Sequence, residues 1–132
     1  NIVRVINSIE VIPIPNINEN VSGIVRIHSK VHPVYNLRKK FGLPEKEISV
    51  DDHFIITKTS RLYPVLVADK VINVNTYSKD DVTELDESYY DKKEIKGVVS
   101  LNKDITLIYD LESFLSSEET DILNERLSKI KN

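Results

Sequence analysis

Apolar residues in this chain come in short runs separated by polar turns, and one such arrangement occurs twice. Val21 to Phe41 reads VSGIVRIHSKVHPVYNLRKKF, and Ile95 to Leu115 reads IKGVVSLNKDITLIYDLESFL, aligning without gaps at an offset of 97 − 23 = 74. Gly23, Val25, Tyr35 and Leu37 match Gly97, Val99, Tyr109 and Leu111, and the intervening apolar positions coincide. Each copy has an apolar run, a polar interruption, a second apolar run and a charged Asn/Asp-Leu segment, which predicts a β-hairpin followed by a short helix. The turns fall at His28-Ser29-Lys30 and Asn102-Lys103-Asp104, and the second has the better turn chemistry. Gly23 and Gly97 are placed just before the first strand of each copy, where a residue without Cβ allows close approach of a neighbour.

A second echo lies upstream of each hairpin. Arg4-Val5-Ile6-Asn7 resembles Lys70-Val71-Ile72-Asn73 at an offset of 71 − 5 = 66. The later copy is preceded by Phe54 to Lys58, a polar turn through Thr59-Ser60-Arg61, and Leu62 to Ala68, which together predict another hairpin. Only Asn1 to Val3 precede the earlier echo, so repeat logic expects roughly 18 further residues before Arg4 and a first unit with unpaired strand edges and exposed core. Such edges predict self-association, or poor order near Asn1 to Pro15.

Gly42 to Asp52 is a Pro-containing polar connector of the kind that separates subdomains. Ser116 to Glu119 can form a capping box, and Ile122, Leu123, Leu127 and Ile130 then make one apolar stripe, predicting a C-terminal helix over about 117–131.

Composition supports the strand-rich reading: 17 Ile and 15 Val stand against 11 Leu and one Ala. A length of 132 residues suits one domain holding one core or two small ones. The net charge of −3 gives no basic footprint for nucleic acid. Zero Cys excludes disulfides and thiolate chemistry and fits a cytoplasmic location, and no apolar run is long enough to insert into a membrane. Zero Met, with Asn1 leading the chain, adds to the expectation of an N-terminally incomplete first unit.

Candidate chemistry is sparse. His28 and His32 lie four apart, about 13 Å along a strand, and can meet at one metal only if the turn folds them across the hairpin. His53 follows Asp51-Asp52, but neighbouring residues on extended chain point to opposite faces. Three glycines cannot build a phosphate loop or dinucleotide fingerprint, and no Gly-x-Ser-x-Gly elbow occurs. Nothing sets Asp80, Asp81, Glu84, Asp86, Glu87 or Asp91 apart, and Asp80 to Glu84 reads as a helix start or turn. The expectation is therefore no enzyme, with no catalytic residue, cofactor or metal; a small metal-dependent hydrolase built on His28, His32 or His53 is the competing reading.

Four stretches together resemble the CheW-like domain of bacterial chemotaxis coupling proteins. They are IVRVINSIEVIPIPN (Ile2 to Asn16), GIVRIHSKVHPVYNLR (Gly23 to Arg38), VLVADKVINV (Val65 to Val74), and Gly97 to Leu115 with the Ser117-Glu118-Glu119 that follows. The resemblance covers essentially the whole chain and implies a mostly β fold of two five-stranded SH3-like barrels. Subdomain 1 would span about 1–48 and subdomain 2 about 49–115, within a single domain of 1–132. It also implies an adaptor that bridges the regulatory domain of a CheA-type histidine kinase and the cytoplasmic tip of a chemoreceptor. Ile2, Arg4, Val5, Val11, Pro13 and Gly23 would then meet a kinase or related barrel, with Ile2, Val5, Val11 and Val98 equally readable as core. His28, Lys30, His32 and Val98 would line a receptor groove. Where the family turn reads Arg-Gly this chain has His28-Ser29, and where it reads Asp-Leu this chain has Asn36-Leu37. Arg4 stands where Glu is common. His28 loses the bidentate fork of Arg, and Ser29 lacks the easy access of Gly to positive φ. A CheW-like regulatory module within a larger kinase or adaptor is the alternative setting.

Overall fold

The computed structural model describes residues 2–15, 21–83, 95–101, 104–109 and 111. Two compact units emerge, one holding Asn1–Ile72 and the other Asn73–Ser117. The first is built on five strands: β1 (Ile2–Asn7), β2 (Val21–Ile27), β3 (Lys30–Tyr35), β4 (His53–Thr57) and β5 (Val65–Ala68), in the sheet order β1-β4-β5-β3-β2. A short helix, α1 (Leu37–Lys40), follows β3. The second contains the hairpin β6 (Ile95–Leu101) and β7 (Asp104–Tyr109), with a 3₁₀ turn at Lys79–Asp81 ahead of it.

The internal repeat is reproduced in the hydrogen-bond register. Val21 pairs with Tyr35 and Gly23 with Val34, with a bulge between them; Ile95 pairs with Tyr109 and Gly97 with Ile108, with a bulge at the same place. Every later partner in β6–β7 is likewise its β2–β3 counterpart plus 74. Gly23 thus lies inside β2 at the bulge, not ahead of the strand, because the extra residue lets the strand bend where another segment crosses. That segment is the chain leaving β1: Ile12 and Ile24 exchange two backbone hydrogen bonds of 2.8 and 2.9 Å, linking the β1 side of the sheet to β2 at its opposite edge.

Ile24 directs both backbone groups at Ile12, so Pro33 opposite it sits at a non-hydrogen-bonded position of β2–β3. Its missing N–H therefore costs that ladder nothing. The β3–β5 parallel pairing starts one residue later, at Val34.

Two readings from the repeat are changed by the sheet. β1 pairs on one side with β4, antiparallel from Asn7–His53 to Ile2–Thr57, and as the end strand of the sheet has no strand on its other side among the described residues. Among the described residues of this unit the core of Val25, Val34, Phe54 and Val65 is fully buried, where the repeat leads one to expect an exposed core. The Gly42-to-Asp52 stretch, expected to separate subdomains near residue 48, instead returns the chain from α1 to β4 inside one sheet. Sequence repeats and pairing units differ here because the hairpin preceding the second echo, β4–β5, supplies strands to the first sheet.

The β2–β3 turn has His28 at φ 50° and Ser29 at φ 66°, the positive values a two-residue type I′ turn requires. Neither side chain favours that region, so Ser29→Gly is expected to stabilise the protein by about 0.5–1 kcal/mol. A urea midpoint that does not rise would contradict this. The turn residues Asn102 and Lys103, the carboxylates Glu84, Asp86, Glu87 and Asp91, the capping box and the C-terminal helix over 117–131 lie outside the described residues. Asp80 and Asp81 do fall in a turn, where the Ser78 amide and hydroxyl both donate to Asp81 Oδ2.

Candidate interaction surface

β1 ends the sheet, and its burial runs opposite to that of a core strand. Ile2 and Val3 are about half exposed (51% and 55%) beside an exposed Arg4, whereas Val5 and Ile6 are half-buried. Ile2 is therefore surface, not core. The segment that follows continues the apolar surface: Ile9 and Ile12 are exposed, Pro13 is exposed, and Val11 is half-buried against the core of Val25, Val34, Phe54, Ile56 and Val65. Of the kinase-side residues expected from sequence, the described unit thus brings Ile2 and Arg4 together on one exposed strand. Gly23 is buried, and its role is to let the Val11-Ile12 backbone pass.

The receptor-side residues of the first unit differ in exposure. His28, Ser29 and Lys30 are exposed at the hairpin tip. His32 is buried, with its Nδ1–H donating to the Tyr63 carbonyl at 3.1 Å and its ring edge-on to Tyr63 at 6.1 Å. A carbonyl can only accept, so the proton sits on Nδ1. His32 pairs across the strands with Val25, and the two-residue turn does not carry His28 to it. No group of three or more His, Asp or Glu able to hold a metal occurs among the described residues. Val98 belongs to β6 in the other unit, paired with Leu107.

Asn36 is committed locally. Its Oδ1 accepts from the Lys39 amide at 3.3 Å and caps α1. At the other end, Gly42 at φ 70° completes a Schellman turn, its N–H donating to Lys39 O and that of Leu43 to Arg38 O.

Sequence reasoning missed Asp52, which fixes the 42–52 stretch beneath this surface. Its carboxylate accepts from the Ser49 amide at 2.7 Å and from Lys46 Nζ at 3.3 Å, and its own carbonyl accepts from the Ser8 amide. Ser8 Oγ also donates to Ser49 O at 2.8 Å, tying the end of β1 to the connector. The only hint in sequence is a Ser three residues before an Asp, which is too common to single out. Arg38 and Lys46 both pair with Asp69 at the end of β5.

The Ser49 amide, and then Lys46, hold the Asp52 carboxyl below its ordinary range against the opposing effect of burial. A native pKa below the unfolded one gives stability that is present above about pH 4 and lost as pH falls through the lowered value. Asp52→Asn is expected to cost about 1–2 kcal/mol at neutral pH and to flatten the acid limb of the stability curve. An unchanged acid limb in urea titrations at successive pH values would contradict it.

A family model described as the CheW-like domain matches residues 1–119. The chemotaxis protein CheW of Treponema pallidum (strain Nichols) is 27% identical over 121 residues, covering 83% of this chain and 68% of that protein. The chemotaxis protein CheW of Thermotoga maritima is 23% identical over 117 residues, covering 87% of this chain and 76% of that one. The crystal structure of the scaffolding protein TtCheW from Thermoanaerobacter tengcongensis superposes with a TM-score of 0.75 at 21% identity, covering 89% of this chain and 82% of that chain.

Proposed function

This chain belongs to the CheW-like domain family, and on that premise we propose that it is a non-catalytic chemotaxis adaptor coupling a CheA-type histidine kinase to chemoreceptors. The observation that carries the reading is the family match over residues 1–119, nearly the whole chain. The surface supports it: an end strand that exposes Ile2 and Val3 beside a cation offers what a small barrel of a partner can pack against. We further infer two SH3-like barrels and a cytoplasmic setting; among the described residues no helix is long and apolar enough to cross a membrane.

Calorimetric titration of the chain with the kinase's regulatory domain and with a receptor tip fragment tests the proposal. Binding at tens of micromolar or tighter is expected for both. Ile2→Asp should weaken the kinase contact roughly tenfold with little change in melting temperature, since the side chain is already half exposed. Absence of binding to either partner would overturn the adaptor reading.

A further inference from the structure

A cleft of about 740 Å³ opens between the chain leaving β1 and the connector ahead of β4. Ile9, Val11 and Pro13 form one wall, and Ile48 and Val50 the other. Its volume is that of a ligand site, roughly 300–1,000 Å³, enough for a few side chains and too small for a whole domain face. Val50 is 89% exposed and Ile9 and Ile48 about 40%, so the cleft presents apolar surface to solvent. Both walls are anchored, the first by the Ile12–Ile24 backbone pair and the second by the Ser8–Ser49–Asp52 bonds, so the cleft is preformed.

Charge decides what fits. Glu10 and Glu47 stand one on each wall, and neither has an ion-pair partner among the described residues. The nearest cation along the chain, Lys46, is held by Asp52 and Asp69. An apolar cleft with an unneutralised carboxylate on either side favours an apolar segment flanked by Lys or Arg and repels one flanked by Glu or Asp.

We propose that this cleft is a docking site for a short apolar peptide segment of a partner protein, flanked by basic residues. The proposal deepens the adaptor reading and rests on it only in assigning the segment to a signalling partner. Recognition would combine burial of Ile9, Ile48 and Val50 with charge pairing to Glu10 and Glu47.

Two short synthetic peptides serve as probes, sharing an Ile-Val-Leu centre and differing in Lys or Glu flanks. Titrated into the ¹⁵N-labelled full chain, the Lys-flanked peptide is expected to shift amides of Ser8 to Val11 and Glu47 to Val50, and the Glu-flanked peptide is not. The double variant Glu10→Lys/Glu47→Lys should weaken the response roughly fivefold or more, and added salt should weaken it in the wild type. Val50→Asp should weaken it too, and all three side chains are exposed enough that folding persists. No shifts, equal response to both peptides, or an undiminished response in both variants would overturn the proposal. Kinase and receptor binding without peptide binding would sink the cleft alone, whereas peptide binding without either partner would sink the adaptor reading alone.

Discussion

Gly23→Ala is expected to lower the unfolding free energy by about 3 kcal/mol, an effect out of proportion to one methyl group. A Cβ at this position would overlap the Ile12 carbonyl oxygen and lie 2.9 Å from both the Ile12 carbonyl carbon and Val11 Cγ1. Two of those atoms are backbone, and they belong to the residue that exchanges hydrogen bonds of 2.8 and 2.9 Å with Ile24. The methyl cannot be accommodated by a rotamer change; the crossing segment must move away, and moving it stretches both bonds. The residue also sits at φ 155°, which L side chains rarely adopt, so backbone strain adds to the overlap. Small domains have only about 5–15 kcal/mol in total, so a loss of this size should lower Tm by roughly 10 °C. Urea denaturation followed by circular dichroism measures it, and a loss under about 1 kcal/mol would show that the segment yields freely. The variant also tests the surface, because Ile9 and Val11 are carried by the displaced segment.

Gly23 shows where sequence reading succeeds and where it stops. Its spacing to Gly97 marked it as a place of close approach, and the matching bulges in both hairpins bear that out in the register. What approaches it was not readable, because Ile12 and Ile24 belong to separate runs and nothing in either names its partner. The β4–β5 hairpin was legible in the same local way, from two apolar runs around Thr59 to Arg61. Its place in the sheet was not: a strand's pattern states that one face is buried, not which neighbour shares its ladder. The echo of Arg4 to Asn7 in Lys70 to Asn73 suggested repeated units laid end to end, whereas β1 takes its partner from the hairpin preceding the second echo. The local roles of His32 and Asn36 were not readable for a related reason. A polar residue in a strand pattern reads as exposed until a distant carbonyl, here that of Tyr63, is known to meet it, and an Asn before Leu is a helix cap only once the helix exists.

Phe54→Ala is expected to cost about 3–5 kcal/mol, the largest loss for any single truncation in the described sheet. Phe54 is wholly buried and heads the fully buried side chains by volume. It lies on β4, between β1 and β5, opposite Ile6 on one side and Val67 on the other, and it packs into the cluster of Val25, Val34, Ile56 and Val65. Strands distant in sequence surround it, so no local rearrangement can refill the space. Phe54→Leu keeps most of the volume and should cost only about 1–1.5 kcal/mol, so the difference between the two variants measures the cavity and not the loss of an aromatic ring as such. β1 is held to the sheet through β4, and β1 carries Ile2, Val3 and Arg4. The proposed kinase binding should therefore fail in Phe54→Ala at a lower temperature than in the wild type while remaining near normal well below the variant's own Tm. Equal losses for Ala and Leu, or binding that falls as far at low temperature as near Tm, would show that Phe54 does not act through the core that presents this strand.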